Sequence, residues 1–152
     1  MTAFKQVQNY LNEKDFAILL KDCWISEEFP CRNPDLSMEE IADLFAKANK
    51  SYFMNDRDRK YFNNLPDNVT IYRGTYKRES MKKLSWTLDF ETAEWFANRF
   101  ETGEPIVFKT TIPKNQILAY INDRNEQEVI VHPKTLEVLY IEELELKTSP
   151  HI

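Results

Sequence analysis

Two glycines, two cysteines and two histidines in 152 residues close off several kinds of chemistry at once. With only Gly74 and Gly103 the chain lacks the clustered glycines of a Walker loop or a G-x-G-x-x-G turn, which bring backbone amides onto phosphates. Any nucleotide it binds is therefore held another way. Cys23 and Cys31 lie close together with no histidine near them, and His132 and His151 stand far along the chain, too few ligands for a structural zinc site. A pair drawn from Cys23 or Cys31 with His132 is the one cysteine-histidine arrangement left, and single residues of this kind are usually structural or exposed. Basic charge is also short. Twenty lysines and arginines face 25 acidic residues, for a net charge of −5 and a pI near 5.2, which disfavours general affinity for nucleic acid. The local exception, Arg73, Lys77, Arg78, Lys82 and Lys83, reads as a solvated face. No apolar run approaches bilayer-spanning length. The opening stretch has no basic region followed by an apolar core, so no signal peptide is expected and the cytoplasm is the expected location.

What is present describes an ordinary folded protein: 42% hydrophobic, 13% aromatic and 30% charged residues. The length favours one domain over residues 1–152, with a core large enough to need no staples. Residues 1–64 read as helical. Apolar side chains recur at helical spacing in Phe4, Val7, Tyr10 and Leu11, and again in Phe16, Leu19, Leu20 and Cys23. Ser37 and Glu40 fit a capping box, with Pro34 and Asp35 in the turn before it and Ile41, Leu44, Phe45 and Ala48 on the helix that follows. A further helix through Asn55 to Phe62 ends at the turn-forming run Asn63 to Asn68.

Residues 65–152 read as the strand-rich part. Val69 to Arg73 alternates with strand period, and Leu84 to Thr87 makes a short second strand. Asp89 then offers an N-cap to a helix with the stripe Ala93, Phe96, Ala97 and Phe100, which Gly103 is placed to end. Four more strand-like segments follow, Pro105–Ile112, Gln116–Ile121, Glu128–His132 and Leu136–Leu146. One helix among many strands implies an α+β fold with an antiparallel or mixed sheet.

Three short elements carry candidate chemistry. Arg73 ends a strand whose Val69 and Ile71 share its face, and Gly74 beside it would let a ligand approach the backbone closely. Read alone, such an arginine forms a surface salt bridge. Ser85-Trp86-Thr87 places two hydroxyls on one strand face and an indole on the other. Glu126-Gln127-Glu128 leads into the apolar strand Val129-Ile130-Val131, and in extended backbone its carboxylates would share a face about 7 Å apart. In so acidic a chain the bland reading of that pair is a solvated strand face.

The order and flanks of these elements resemble the mono-ADP-ribosyltransferases of the arginine-serine-glutamate class, which include the clostridial binary toxins and the vertebrate arginine-specific ectoenzymes. The resemblance covers Leu65 to about Tyr140, and a toxin, effector or anti-defence role would be in keeping with it. The family's central motif is usually Ser-Thr-Ser, whereas here it is Ser85-Trp86-Thr87. The resemblance implies helices packed on a split sheet, NAD as substrate, no metal, and transfer of ADP-ribose to a protein acceptor, most directly an arginine, with release of nicotinamide. It implies that Glu128 stabilises the oxocarbenium-like ribose. Glu126 would serve the incoming guanidinium, whose pKa above about 12 makes a base valuable. Arg73 would hold the pyrophosphate, Gly74 would offer backbone polar groups to the nicotinamide carboxamide, and Ser85 would position Glu128. Tyr72 or Trp86 would stack on the nicotinamide or line the cleft, with alternation favouring the core for Trp86, and the part played by Thr87 is open. Two alternatives stand beside this. A non-catalytic acidic protein docking on a basic partner would suit Glu142, Glu143 and Glu145, and an NAD glycohydrolase would use the same residues with water as the nucleophile.

Overall fold

Negative charge opens the helices where the macrodipole favours it: Glu13 and Asp15 in α1 (Glu13–Ser26), Glu39 and Glu40 in α2 (Met38–Lys47), Asp56 and Asp58 in α3 (Asp56–Asn63). The computed structural model describes residues 8–26, 37–76, 83–99, 103–144 and 146. The capping box at α2 is complete, with the Glu40 amide donating to Ser37 Oγ at 3.1 Å and the Ser37 amide donating to Glu40 Oε1 at 3.3 Å. Asn55 caps α3 by accepting from the Asp58 amide at 2.8 Å. The inward face of α1 is Phe16, Ala17, Leu20 and Trp24, while Leu19 and Cys23 are only partly buried. Tyr10 departs from the expected stripe: it lies in a 3-10 turn, Gln8–Tyr10, and is 88% exposed. Phe4, Val7, Cys31, Pro34, Asp35, Lys77, Arg78, Lys82, Phe100, Glu145 and His151 fall outside the described residues.

The strands are β1 (Asn68–Thr75), β2 (Ser85–Thr87), β3 (Ile106–Pro113), β4 (Ile117–Ile121), β5 (Glu128–Val131) and β6 (Glu142–Leu144). They form a sheet of order β4-β5-β2-β1-β3-β6 in which all pairings are antiparallel, so of the two sheet types expected the antiparallel one is found. β1 pairs with β3 from Asn68↔Pro113 through Thr75↔Ile106, and β2 pairs with β5 from Ser85↔Ile130 to Thr87↔Glu128. Between β1 and β2, however, the pairing is Tyr72↔Thr87 alone. The sheet is thus two three-stranded halves joined at one register pair. Helices α1 and α2 share an apolar cluster with both halves, in which Leu20, Ile41 and Phe45 join Ile71, Phe108 and Ile130.

A second cluster, Ala93, Ala97 and Val107 with Tyr72 and Phe90 against them, seats α4 (Phe90–Asn98) on β1 and β3. Asp89 caps this helix, accepting from the Thr92 amide at 3.1 Å and from Thr92 Oγ1 at 2.7 Å. Gly74 is what lets the helix come so close. A Cβ there would lie 1.6 Å from the Ala93 carbonyl oxygen and 2.9 Å from the Ala97 nitrogen, so the backbone that approaches Gly74 is that of α4. Gly103, at φ +95°, stands beyond the helix, which ends at Asn98 with Arg99 as its C-cap.

The segment expected as a strand from Leu136 to Leu146 is divided between α5 (Pro133–Glu137) and β6. Pro133 occupies the first helical turn, where its fixed φ is already helical and its missing N–H costs nothing. His132 caps that helix through Nδ1, which accepts from the Lys134 amide at 3.1 Å, leaving Nε2 to donate to Asp43 Oδ1 at 2.8 Å. Both ring nitrogens are committed, which argues against a catalytic cysteine-histidine pair. Burial pushes the Cys23 thiol up, further from the reactive thiolate. The acidic stretch forms the sheet-edge strand β6, where Glu142 stands opposite Lys109 of β3. Among the described residues no helix is long and apolar enough to cross a membrane.

Gly74→Ala should lower the unfolding free energy by about 3 kcal/mol, because a rigid helix backbone and not a flexible side chain occupies the space. Urea denaturation followed by circular dichroism measures this. A change within about 0.5 kcal/mol, typical of harmless surface substitutions, would contradict the close seating of α4.

Candidate active site

Sheet register explains how residues far apart in sequence meet. Tyr72 stands opposite Thr87, and Thr87 opposite Glu128, so β2 brings positions of β1 and β5 together across the sheet. Ser85, two residues before Thr87, points to the same face of β2. Around the single β1–β2 pair opens a cleft lined by Tyr72, Arg73, Gly74, Ser85, Trp86, Thr87, Phe96, Glu126 and Glu128, with about 560 Å³ of space partly open to solvent. All eight residues singled out in the sequence line this cleft.

At its floor Glu128 is only 5% exposed. Its Oε2 accepts from Ser85 Oγ at 2.5 Å and from the Trp24 indole Nε1 at 3.2 Å, and its Oε1 accepts from Arg124 Nη2 at 3.3 Å. Burial pushes the carboxyl above the usual carboxylate range; Glu126 adds to the rise, while the Ser85 hydroxyl, the Arg124 cation and the Trp24 N–H oppose it. The Trp24 and Arg124 donors have no acceptor role, so the arrangement is built for a carboxylate. Arg73 reaches the same place through Nη1, which donates to the Ser85 carbonyl oxygen at 2.6 Å. A cation, a hydroxyl and a buried carboxylate are thereby linked in one short chain.

Glu126 arrives by a route that strand alternation did not suggest. β5 begins at Glu128, and Asn125 at φ 56° and Gln127 at φ 46° are both left-handed, so the two glutamates are not neighbours on an extended face. A tied-down turn brings Glu126 to the cleft instead. Thr87 Oγ1 donates to the Glu126 carbonyl oxygen at 2.7 Å, the Leu88 amide to the Gln127 carbonyl oxygen at 3.1 Å, and the Gln127 amide to Asn122 Oδ1 at 3.0 Å. Thr87 therefore acts by fixing the turn that carries Glu126. The Glu126 carboxylate, about a third exposed, lies 3.9 Å from Arg124.

The aromatic residues divide. Trp86 is 2% exposed and donates its indole N–H to the Lys83 carbonyl oxygen at 2.9 Å, so it is a wall of the cleft held in the core and not a free stacking surface. Tyr72 is half-buried and meets Phe90 edge-on at 5.6 Å. Three contributors lay outside the sequence motifs: Trp24, on a helix 104 residues from Glu128; Arg124, in what reads as a plain turn; and Phe96, one position of an apolar helix stripe. The signal available was the Arg124–Glu128 spacing. Trp24 has no local signature at all.

No family model, no curated protein and no solved structure matches the chain.

Because the folded protein raises the Glu128 pKa, its folded state holds that proton more tightly than the unfolded chain does. The group's favourable contribution is complete below the ordinary carboxylate pKa and is lost as pH rises through the raised value. Wild type should therefore lose stability relative to Glu128→Gln as pH rises between about pH 4 and pH 8. Calorimetry across that range measures it. A variant that loses stability relative to wild type as pH rises would mean that the three donors outweigh the burial.

Proposed function

We propose that this protein is an NAD-dependent mono-ADP-ribosyltransferase that modifies a protein arginine and releases nicotinamide. The observation that carries the reading is the convergence of Arg73, Ser85, Glu126 and Glu128, from three separate chain segments, on the cleft between the two sheet halves. The cleft's polar groups suit the parts of NAD. The Arg73 guanidinium offers a planar fork to the pyrophosphate, Tyr72 and Phe96 offer apolar surface to a ring, and Glu128 offers buried negative charge to the ribose.

Breaking the bond between ribose C1′ and the nicotinamide nitrogen leaves positive charge on the sugar. A carboxylate already desolvated and fixed by Ser85 and Trp24 stabilises that charge without reorganising. The acceptor guanidinium nitrogen then bonds to C1′, and its proton passes to Glu126, which is exposed enough to exchange it with solvent. Nicotinamide leaves neutral with the bonding electrons. Water in place of the guanidinium would make the same site an NAD glycohydrolase. A non-catalytic binding protein accounts less well for the cleft, since a binder gains nothing from burying Glu128 at a cost in stability.

Incubation with isotopically labelled NAD and a cell lysate, followed by mass spectrometry, should find ADP-ribose on arginine side chains of an acceptor. Modification confined to asparagine, cysteine or a nucleic-acid base would overturn the arginine assignment. Glu128→Gln should lower NAD turnover by at least about a hundredfold in a folded protein, the scale of one lost preorganised stabiliser. Unchanged NAD consumption would remove Glu128 from its role. Glu126→Gln should abolish transfer to arginine and retain slow NAD hydrolysis, read by separate assays of modified acceptor and free ADP-ribose. Loss of both activities together would place Glu126 at the ribose instead.

A further inference from the structure

Beside the cleft runs a second groove, about 670 Å³ and more open to solvent, that shares Phe96 and Glu126 with it. Its outer wall is Trp95 on α4, 61% exposed although it is a large aromatic that a folded chain would ordinarily bury further. The indole packs edge-on against Phe96, with ring centres 5.1 Å apart, so the cleft wall holds it in place as a ledge. The ring also carries a cation from this chain, the Arg99 guanidinium, 5.9 Å from its centre.

The polar lining is one-sided. Asp89, Glu91 and Glu126 face the groove, and no lysine or arginine is among its described lining residues. Asp89 is occupied in capping α4, and Arg124 lies near Glu126, which leaves Glu91, exposed in the first turn, as the carboxylate free to meet a partner charge. An aromatic ledge with carboxylates around it attracts cationic side chains through the ring face and through charge together.

We propose that this groove docks the acceptor protein, specifically a cationic segment whose lysine or arginine side chains flank the arginine to be modified. The inference rests on the transferase reading and adds to it the class of acceptor. Continuity through Glu126 matters here, because a segment lying in the groove delivers its neighbouring arginine to the residue that would deprotonate it.

The test uses the full chain and two synthetic fluorescent peptides, each with one arginine, flanked by lysines in one and by glutamates in the other, with agmatine as a flankless acceptor. Anisotropy without NAD should show the lysine-flanked peptide binding and the glutamate-flanked one not. Trp95→Ala and Glu91→Lys, both at exposed positions, should each weaken that binding by about tenfold and raise the peptide KM by a similar factor. The KM for NAD and the rate of transfer to agmatine should stay as in wild type. Equal peptide binding in wild type and both variants, or equal binding of the two peptides, overturns the groove whatever the enzyme does with NAD. Trp95-dependent binding in a protein that never consumes NAD supports the groove and overturns the transferase reading instead.

Discussion

A carboxylate taken out of water is costly, and the Glu128 side chain survives its burial because donors converge on it from three parts of the chain. Trp24 comes from the N-terminal helix, Ser85 from a short central strand and Arg124 from the turn that precedes β5. Removing any one would leave part of the charge uncompensated, at about 1–3 kcal/mol for a buried unsatisfied group. This ties the helical layer to the cleft. Without α1 the cleft would lose both a wall of its core and a donor to its central acid.

The second constraint is the single pair Tyr72↔Thr87 that joins the sheet halves. A fully paired β1 and β2 would leave no opening for a ligand, and an unpaired couple would not fix Arg73 relative to Glu128. One pair does both. Gly74 extends the logic, since its missing side chain admits α4, and α4 in turn supplies Phe96 to the cleft and Trp95 to the groove. Thr87 then links the sheet to the turn carrying Glu126, so positioning of the two glutamates depends on β2 from both sides.

Much of this was legible in the residues themselves, and the exceptions share a cause. The Ser37 capping box and the Asp89 cap are local hydrogen-bond patterns, readable over four residues, and both are found as expected. The residues Arg73, Ser85 and Glu128 were legible through their order and flanks. Alternation failed at Glu126 because Asn125 and Gln127 adopt left-handed backbone, which only the bonds from Thr87, Leu88 and Asn122 make visible. It failed again at Leu136, where Pro133 and the His132 cap start a helical turn within apolar sequence that also suits a strand. Sequence alone suggests that Gly74 makes room for a ligand, whereas the neighbour its missing side chain admits is a helix whose position depends on packing across the sheet. Trp24 could not have been placed by any rule of spacing.

In the proposed function Arg73 holds the pyrophosphate and Glu128 the adjoining nicotinamide ribose of one NAD molecule. A crystal structure with a non-hydrolysable NAD analogue, in which the glycosidic bond cannot break, tests it most directly. The account predicts the pyrophosphate on the Arg73 guanidinium and the nicotinamide ribose against the Glu128 carboxylate, with the ring between Tyr72 and Phe96. An analogue bound away from this cleft, or bound there with the ribose out of reach of Glu128, would contradict it.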